Sequence, residues 1–375
     1  MKNYVQAISL PSQEEAIIIG KATTSEEKRE VYRLRYRIYA EEISYKLVNV
    51  DHVNKLLYDD LDGWGTVFYA KIGSEYIGTV RVNIGQISDF SSEIVETYSM
   101  DRFLLFYNGQ KNYNFGLASK GMVAPSCRKL PVFSMLMTKV FEEYCDNQVH
   151  FGFGNSNFYL LPLYEHYGYR RIGKNTVEPS FGVATSFVII PEDIHHLKKV
   201  NSPFLNSALA KGKRQNNSVV KWFRSQFSET ANIANSQLIS EEKLWTTLRV
   251  RLGHPPNEVM PILAGLSQAA AKKLLSRCSV VVQCPKGSYI VTREDVSQEI
   301  TILLSGELYS NDSPDVNQVI PGQHFGGNGI PNRTKHSNSV MAATDTEILV
   351  LSYHFFLKFR RSYPDIADKI LQNLN

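Results

Sequence analysis

Three carboxylates, Asp59, Asp60 and Asp62, crowd one short stretch of the chain, and the segment ahead of them carries Arg33, Arg35 and Arg37. A carboxylate cluster suits a cationic amine: it binds the ammonium form and accepts its proton, directly or through water. Farther on, Tyr164 stands ahead of Gly168 in Leu163-Tyr164-Glu165-His166-Tyr167-Gly168-Tyr169. A tyrosine with a pKa near ~10 can protonate a departing thiolate of slightly lower pKa. Between the two lies Ser119-Lys120-Gly121-Met122-Val123-Ala124-Pro125, followed by a basic turn, Arg128-Lys129. Each feature also has a plain structural reading. Tyr164 could be a packed core tyrosine ahead of a helix-ending glycine. The arginines could be a solvated helix face paired with Glu30, Glu41 and Glu42, at about 0.2–0.5 kcal/mol per pair. Arg33 and Arg37 fit that description, while the face of Arg35 stays undecided.

The elements that must position these groups follow from hydrophobic pattern and punctuation. Ala16 to Gly20 reads as a first strand. Thr24 and Glu27 form a capping box that starts a helix running to about Tyr45, with Val31, Leu34, Ile38, Tyr39 and Ile43 at helical spacing. Thr66 to Lys71 and Tyr76 to Val82 read as strands joined by a tight turn at Gly73-Ser74-Glu75, and residues 90–106 as helical. A strand from Gly116 to Val123, a helix from Pro131 to Asn147 and a last strand from Ala184 to Ile190 complete the pattern β-α-β-β-(α)-β-α-β-α-β. This is an α/β (α+β) mixed sheet with helices on both faces. Residues 1–191 form this unit, 192–255 read as a polar, helix-prone bridge with a basic run at Lys211, Lys213 and Arg214, and 256–375 as a second unit of short strands punctuated by glycine.

Bulk properties narrow the classes. A chain of 375 residues exceeds the ~200–250 at which single cores stop growing. The net charge of +4 is too small to point to nucleic acid. Apolar runs such as Ala16 to Gly20 are far shorter than the ~20 residues of a membrane span, so no membrane insertion is expected. Cys127, Cys145, Cys278 and Cys284 lack metal spacing and read as reduced thiols of a cytoplasmic protein; no metal is expected.

The strand ending in proline, the basic turn, the long helix, the short strand and the Leu-Tyr-x-x-x-Gly-aromatic motif resemble, in that order, the acyl-donor half of the GNAT acyltransferase fold. The resemblance covers roughly residues 14 to 190. It implies an acyl-carrier-protein or coenzyme A thioester as donor, held by Met122, Val123 and the turn Ser126-Cys127-Arg128-Lys129, with Asn155 orienting the pantetheine amide and Tyr164 protonating the leaving sulfur. Pro131 and Phe133 stand where the family's phosphate loop has small residues, which implies a looser donor grip, more like members served by acyl carrier protein. Tyr32 to Glu42, Asp59-Asp60-Leu61-Asp62 and Ile77-Gly78-Thr79-Val80-Arg81 further resemble acyl-homoserine-lactone synthases and N-acyl amino acid synthases. That likeness assigns Arg35 and Tyr39 to the acceptor side, turns Asp59, Asp60 and Asp62 toward a small amine and gives Arg81 a supporting role. Those families' favoured base, a glutamate, is replaced by Leu117, and their arginine by Lys120, so the base is unassigned. The aromatic stretches Phe103 to Tyr107 and Phe151 to Phe158 are either an acyl-chain pocket or plain core.

The second unit resembles the β-roll of cyclic-nucleotide-binding domains, with a leading helix at Gln268 to Arg277 and a closing one at His354 to Leu374. In the family's phosphate cassette a glutamate follows Phe-Gly; here Phe325-Gly326 is followed by Gly327, and His336 takes the place of the arginine. Arg333 and Lys335 lie near enough in sequence to supply charge. Weak or no cyclic-nucleotide binding is expected. No helix-turn-helix follows the roll, which argues against a transcription factor. The expected activity is transfer of an acyl group to an amino acid or related small amine, possible partners being an acyl carrier protein and that amine. The alternatives are a cyclic-nucleotide-regulated protein lysine acetyltransferase and a non-catalytic binding protein.

Overall fold

The computed structural model describes residues 16–42, 50–178, 182–228, 235–330 and 332–374. Strands β1 (Ile18–Lys21), β2 (Thr66–Ile72), β3 (Glu75–Gly85), β4 (Phe115–Val123), β5 (Phe151–Ser156), β6 (Arg170–Glu178) and β7 (Gly182–Ile189) form one sheet in the order β1-β2-β3-β4-β5-β7-β6. Among the described residues only β4 and β5 pair in parallel. The sequence pattern missed β6, a polar edge strand with little apolar alternation.

Helix α1 (Ser25–Tyr36) starts on the expected Thr24–Glu27 capping box and buries Val31 and Leu34. It does not continue as an α-helix toward Tyr45: a π-helical turn covers Arg37–Glu42, and Ile43 to Tyr45 lie outside the described residues. Residues 90–106 form two helices, α2 (Ser92–Thr97) and α3 (Met100–Tyr107), broken at Ser99, whose φ of 48° is left-handed. Helix α4 (Val132–Asp146) lies on the sheet with Tyr144 across the parallel pair. Gly116 and Gly152 face each other there, and a Cβ at either would come within 2.5 Å of the Tyr144 ring. Two glycines thus set how closely α4 approaches the strands. Helix α5 (Leu161–Tyr167) ends on Gly168 at φ 104°.

One sheet face is covered by α4, whose Val132 and Leu136 lie where a Cβ on Gly78 would stand, while α1 packs Val31 with Val67 and Tyr69 of the opposite face. On the other, Phe103 of α3 packs on Phe151, Phe153 and Phe227, all buried, so these aromatics are core and not an acyl pocket. Residues 192–255 carry apolar faces that join both cores. After α6 (Ile194–Lys199), Phe204 stacks on Phe141 at 4.5 Å just ahead of α7 (Leu205–Ala210). Helix α8 (Asn217–Gln226) inserts Val219, Val220 and Phe223 beside Phe103. Helix α9 (Glu241–Leu252) sends Leu244, Trp245 and Leu248 into the C-terminal core.

That core begins with α10 (Pro256–Val259) and α11 (Gln268–Cys278). Strands β8 (Ser279–Cys284), β9 (Tyr289–Val291), β10 (Glu299–Ser305), β11 (Leu308–Tyr309), β12 (His324–Phe325), β13 (Val340–Ala342) and β14 (Thr346–Ser352) form two sheets, β12-β10-β14-β8 and β11-β13-β9. The closing helix is two, α12 (Tyr353–Ser362) and α13 (Pro364–Leu374), because Pro364 cannot continue the first.

The units meet at the open edge of β8. Arg171 donates from Nη1 to the Val281 carbonyl at 2.6 Å and from Nε to Glu165 at 2.8 Å, and Asn175 donates to the Gln283 carbonyl at 3.2 Å. Glu165, buried beside Tyr164 in the chain, also accepts from the Ser236 N–H at 2.8 Å. Replacing Arg171 by Met leaves that carboxylate short of its charge partner. A loss of about 3–5 kcal/mol is expected in denaturant unfolding.

Candidate active site

The expected acceptor residues converge in the fold. A 3₁₀ turn over Asp60–Gly63, capped by Asp59, brings Asp62 against α1. Arg35 is fully buried, and its Nη1 lies 2.8 Å from both Asp62 oxygens. Its Nε and Nη2 have no hydrogen-bond partner among the described residues. Arg81 on β3, also buried, contacts Asp62 at 2.9 Å and Asp59 through both terminal nitrogens, and its Nε donates to the Ser119 hydroxyl at 3.1 Å. Arg33 pairs with Glu30, and Arg37 reaches the Tyr76 carbonyl at 3.5 Å. Burial therefore selects Arg35 from the three arginines.

The carboxylates are not equivalent. Asp62 is 3% exposed and committed to the two guanidinium groups. Asp59 keeps 40% of its side chain exposed, and it is the member of the pair open to a ligand. Burial would raise its carboxyl, but Arg81, with Lys120 and Arg35, holds it below the usual carboxylate range. Asp60 is exposed on the turn and takes no part in the ion pairs of this network.

A fifth charged group joins them. Between Thr79↔Met122 and Arg81↔Ser119 the β3–β4 register slips, so Lys120 and Gly121 together oppose Val80. Lys120 adopts φ 54° at this bulge, and bulges re-aim side chains. Its Nζ lies 3.4 Å from Asp59 and 5.8 Å from the Tyr39 ring centroid, with 17% of the side chain exposed. Burial, together with Arg81 and Arg35, pulls the ammonium below the usual lysine range despite Asp59. The sequence showed Lys120 only as a replaced arginine; the bulge that turns it inward has no local signature.

Past Leu117↔Phe153 the β4–β5 pairing stops, while β5 continues along β7 as far as Ser156↔Thr185. The strands splay, and Met122, Val123 and Asn155 all belong to the splayed halves. Tyr164 stands near this opening, its ring 4.5 Å from Phe187 and 6.1 Å from Phe133. Burial, with Tyr39, Tyr167 and Tyr159 nearby, raises its hydroxyl above the ordinary tyrosine value, so it holds its proton at neutral pH. A thiolate leaving into the same apolar surroundings is raised too, which keeps the pair matched.

The donor turn is tighter than a free phosphate loop. Arg128 grips Glu42 with two bonds of 2.7 Å and donates from Nε to the Val123 carbonyl at 3.1 Å, tying β4 to the π-helical turn. Lys129 is exposed, and Cys127 lies 3.6 Å from the Ser126 hydroxyl. Phe133 fills the space over Gly121, coming within 3.2 Å of where a Cβ would stand. A polar cleft of about 540 Å³, lined by Tyr107, His150, Glu192 and Lys213, lies at the opposite end of β4 and β5. Among the described residues no cluster fits a metal ion, and no helix is long and apolar enough to cross a membrane.

In the C-terminal roll His336, expected in the place of the family's arginine, packs beside Gly326. It is 4% exposed, accepts from the Gly327 N–H at 2.7 Å, and burial lowers its ring to about 4, leaving it neutral. A Cβ at Gly327 would stand 2.9 Å from the Thr334 carbonyl, so the loop after Phe325-Gly326 has no room for an acidic side chain. Arg333 and Lys335 do not supply the missing charge: Arg333 lies over Tyr353, and Lys335 pairs with Glu294 at 3.4 Å. Saturating cyclic AMP or cyclic GMP is expected to leave the thermal unfolding midpoint unchanged.

Residues 281–363 match the family model of the cyclic nucleotide-binding domain. No curated protein sequence matches the chain significantly. Among solved structures, FeeM, an N-acyl amino acid synthase from uncultured soil microbes, is similar at 14% identity and TM-score 0.40, over 51% of this chain and 98% of that one. An acyl-CoA N-acyltransferase from Pseudomonas aeruginosa is similar at 11% identity and TM-score 0.32, over 46% and 98%. A cyclic nucleotide-binding domain from Methylobacillus flagellatus is similar at 20% identity and TM-score 0.27, over 32% and 73%. By its own strand order and splayed β4–β5 pair the N-terminal unit has a GNAT-type fold, and the chain joins it to a roll of the cyclic-nucleotide-binding family.

Proposed function

We propose that the N-terminal unit transfers an acyl group from a pantetheine thioester, carried by coenzyme A or an acyl carrier protein, to the amine of an amino acid or related small molecule. One observation carries this reading. The charged group of Arg35, Asp62, Arg81, Asp59 and Lys120 and the apolar surroundings of Tyr164 meet around Tyr39. The first suits a cationic amine beside the half-exposed Asp59, and the second suits a thioester sulfur.

Backbone N–H groups of Met122 and Val123 would polarise the thioester carbonyl in the splay, where donors fixed in advance count most. Tyr164 would hand its proton to sulfur as the carbon–sulfur bond breaks. The Arg128–Glu42 clamp and Phe133 narrow the phosphate turn, which favours a donor gripped by its pantetheine arm. With His336 in the place of the family's arginine, the roll acts as a fixed scaffold against β6 and α5, not as a nucleotide sensor.

The test is expression in a bacterial host with mass spectrometry of lipid extracts for N-acylated amines, wild type beside Tyr164→Phe. A product series in the wild type is expected to fall about 10²–10⁴-fold in rate in the variant. Extracts that match the empty vector would remove the small-amine reading.

A further inference from the structure

Transfer to an amine requires a base, and the position that resemblance assigns to one is Leu117, a buried apolar side chain. Asp62 is held by two guanidinium groups, and Asp59 is kept ionised by Arg81, which weakens it as a proton acceptor. Lys120 is the remaining titratable group with access. It sits at the β4 bulge, 3.4 Å from Asp59, beside the strand splay where the thioester would lie.

Charge counting sets its state. Arg35 and Arg81 balance Asp59 and Asp62, so the four sum to zero, and a protonated Lys120 would add an uncompensated charge in a largely buried place. Such a charge is costly, which shifts the balance toward the neutral amine. The groups facing Nζ are Asp59 and Asp62 from the 3₁₀ turn, Arg81 from β3, Arg35 from α1 and the Tyr39 ring from the π-helical turn. An ordinary lysine, pKa about 10.4, is neutral in fewer than about one molecule in a thousand at pH 7; this one is shifted toward the neutral form.

We propose that Lys120 is the catalytic base that takes a proton from the acceptor ammonium in the reaction proposed above, on which this inference rests. The ammonium carries three protons and the amide product keeps one. One of the two lost goes to Lys120 Nζ and leaves to solvent past the exposed edge of Asp59. The nitrogen lone pair then forms the carbon–nitrogen bond, the carbon–sulfur bond breaks, and sulfur leaves with its electron pair. The second proton ends on sulfur by way of Tyr164, so the thiol and the amide balance the starting thioester and amine with one proton released.

The deciding variant is Lys120→Arg, which keeps a cation on the bulge but cannot give up its proton. With the acyl donor and amine identified from the extracts, kcat is expected to fall about 10²–10⁴-fold, with the KM for the donor little changed. The rise of rate with pH that reports deprotonation of Lys120 should disappear. In parallel, the full chain reductively methylated with ¹³C-formaldehyde and titrated by NMR should show one dimethyl-lysine resonance, absent in the variant, that titrates below the others. An active Lys120→Arg with an unchanged pH profile, or a Lys120 that titrates with the bulk lysines, would overturn the base assignment while leaving acyl transfer standing. A wild-type chain that makes no N-acyl product from any thioester overturns the transferase reading and the base with it.

Discussion

The N-terminal unit is organised around one ion network, in which Arg35, Arg81 and Asp62 are almost wholly buried and Asp59 closes the set from a partly exposed edge. Arg35 and Arg81 are 0% and 1% exposed, and each depends on Asp62. Buried charges of this kind hold only when every partner is in place. The network therefore fixes α1, the 3₁₀ turn and β3 relative to one another more strictly than apolar packing would. Ser119, bonded to Arg81, brings β4 into the same frame. The π-helical turn starts two residues after Arg35, where the helix must stay anchored while the chain turns Tyr39 toward the strand splay. A π-turn provides that offset without breaking the helix axis.

The two sides of the site obey opposite electrostatic rules. Around Lys120 the charges are paired, and burial shifts the surplus cation toward its neutral form. On the donor side aromatic rings surround Tyr164 and hold its proton in place. Tyr39 lies between them, near Lys120 on one flank and Tyr164 on the other. Within one region burial thus moves a basic group down and an acidic group up.

Much of this was legible in the sequence. The capping box, the β2–β3 hairpin, the β4–α4 unit and the roll follow from local pattern, because each is encoded by residues close in the chain. The acceptor cluster was visible as residue types, but not which carboxylate would be buried: Asp60 and Asp62 differ only in which side of a short turn they occupy. The face of Arg35 stayed undecided until a partner 27 residues away claimed it. The β6 strand hid behind its polar composition, and the aromatic stretches behind the ambiguity between core and pocket, which only the position of α8 resolves. Lys120 depended on a register slip, a property of two strands together that neither strand announces alone.

The seam between the two units is fastened on the roll's side by peptide carbonyls. Val281 and Gln283 lend only their C=O groups to Arg171 and Asn175, and β8, at the edge of its sheet, has that row free to lend. Any residue at either position offers the same oxygen, whereas the Cys284 sulfur, 3.4 Å from the Asn175 amide, and the apolar side chains shared between the units depend on identity. The bond from Gly327 to His336 depends on side-chain identity as well. The hold of one unit on the other and the surroundings of His336 thus rest on different parts of the roll.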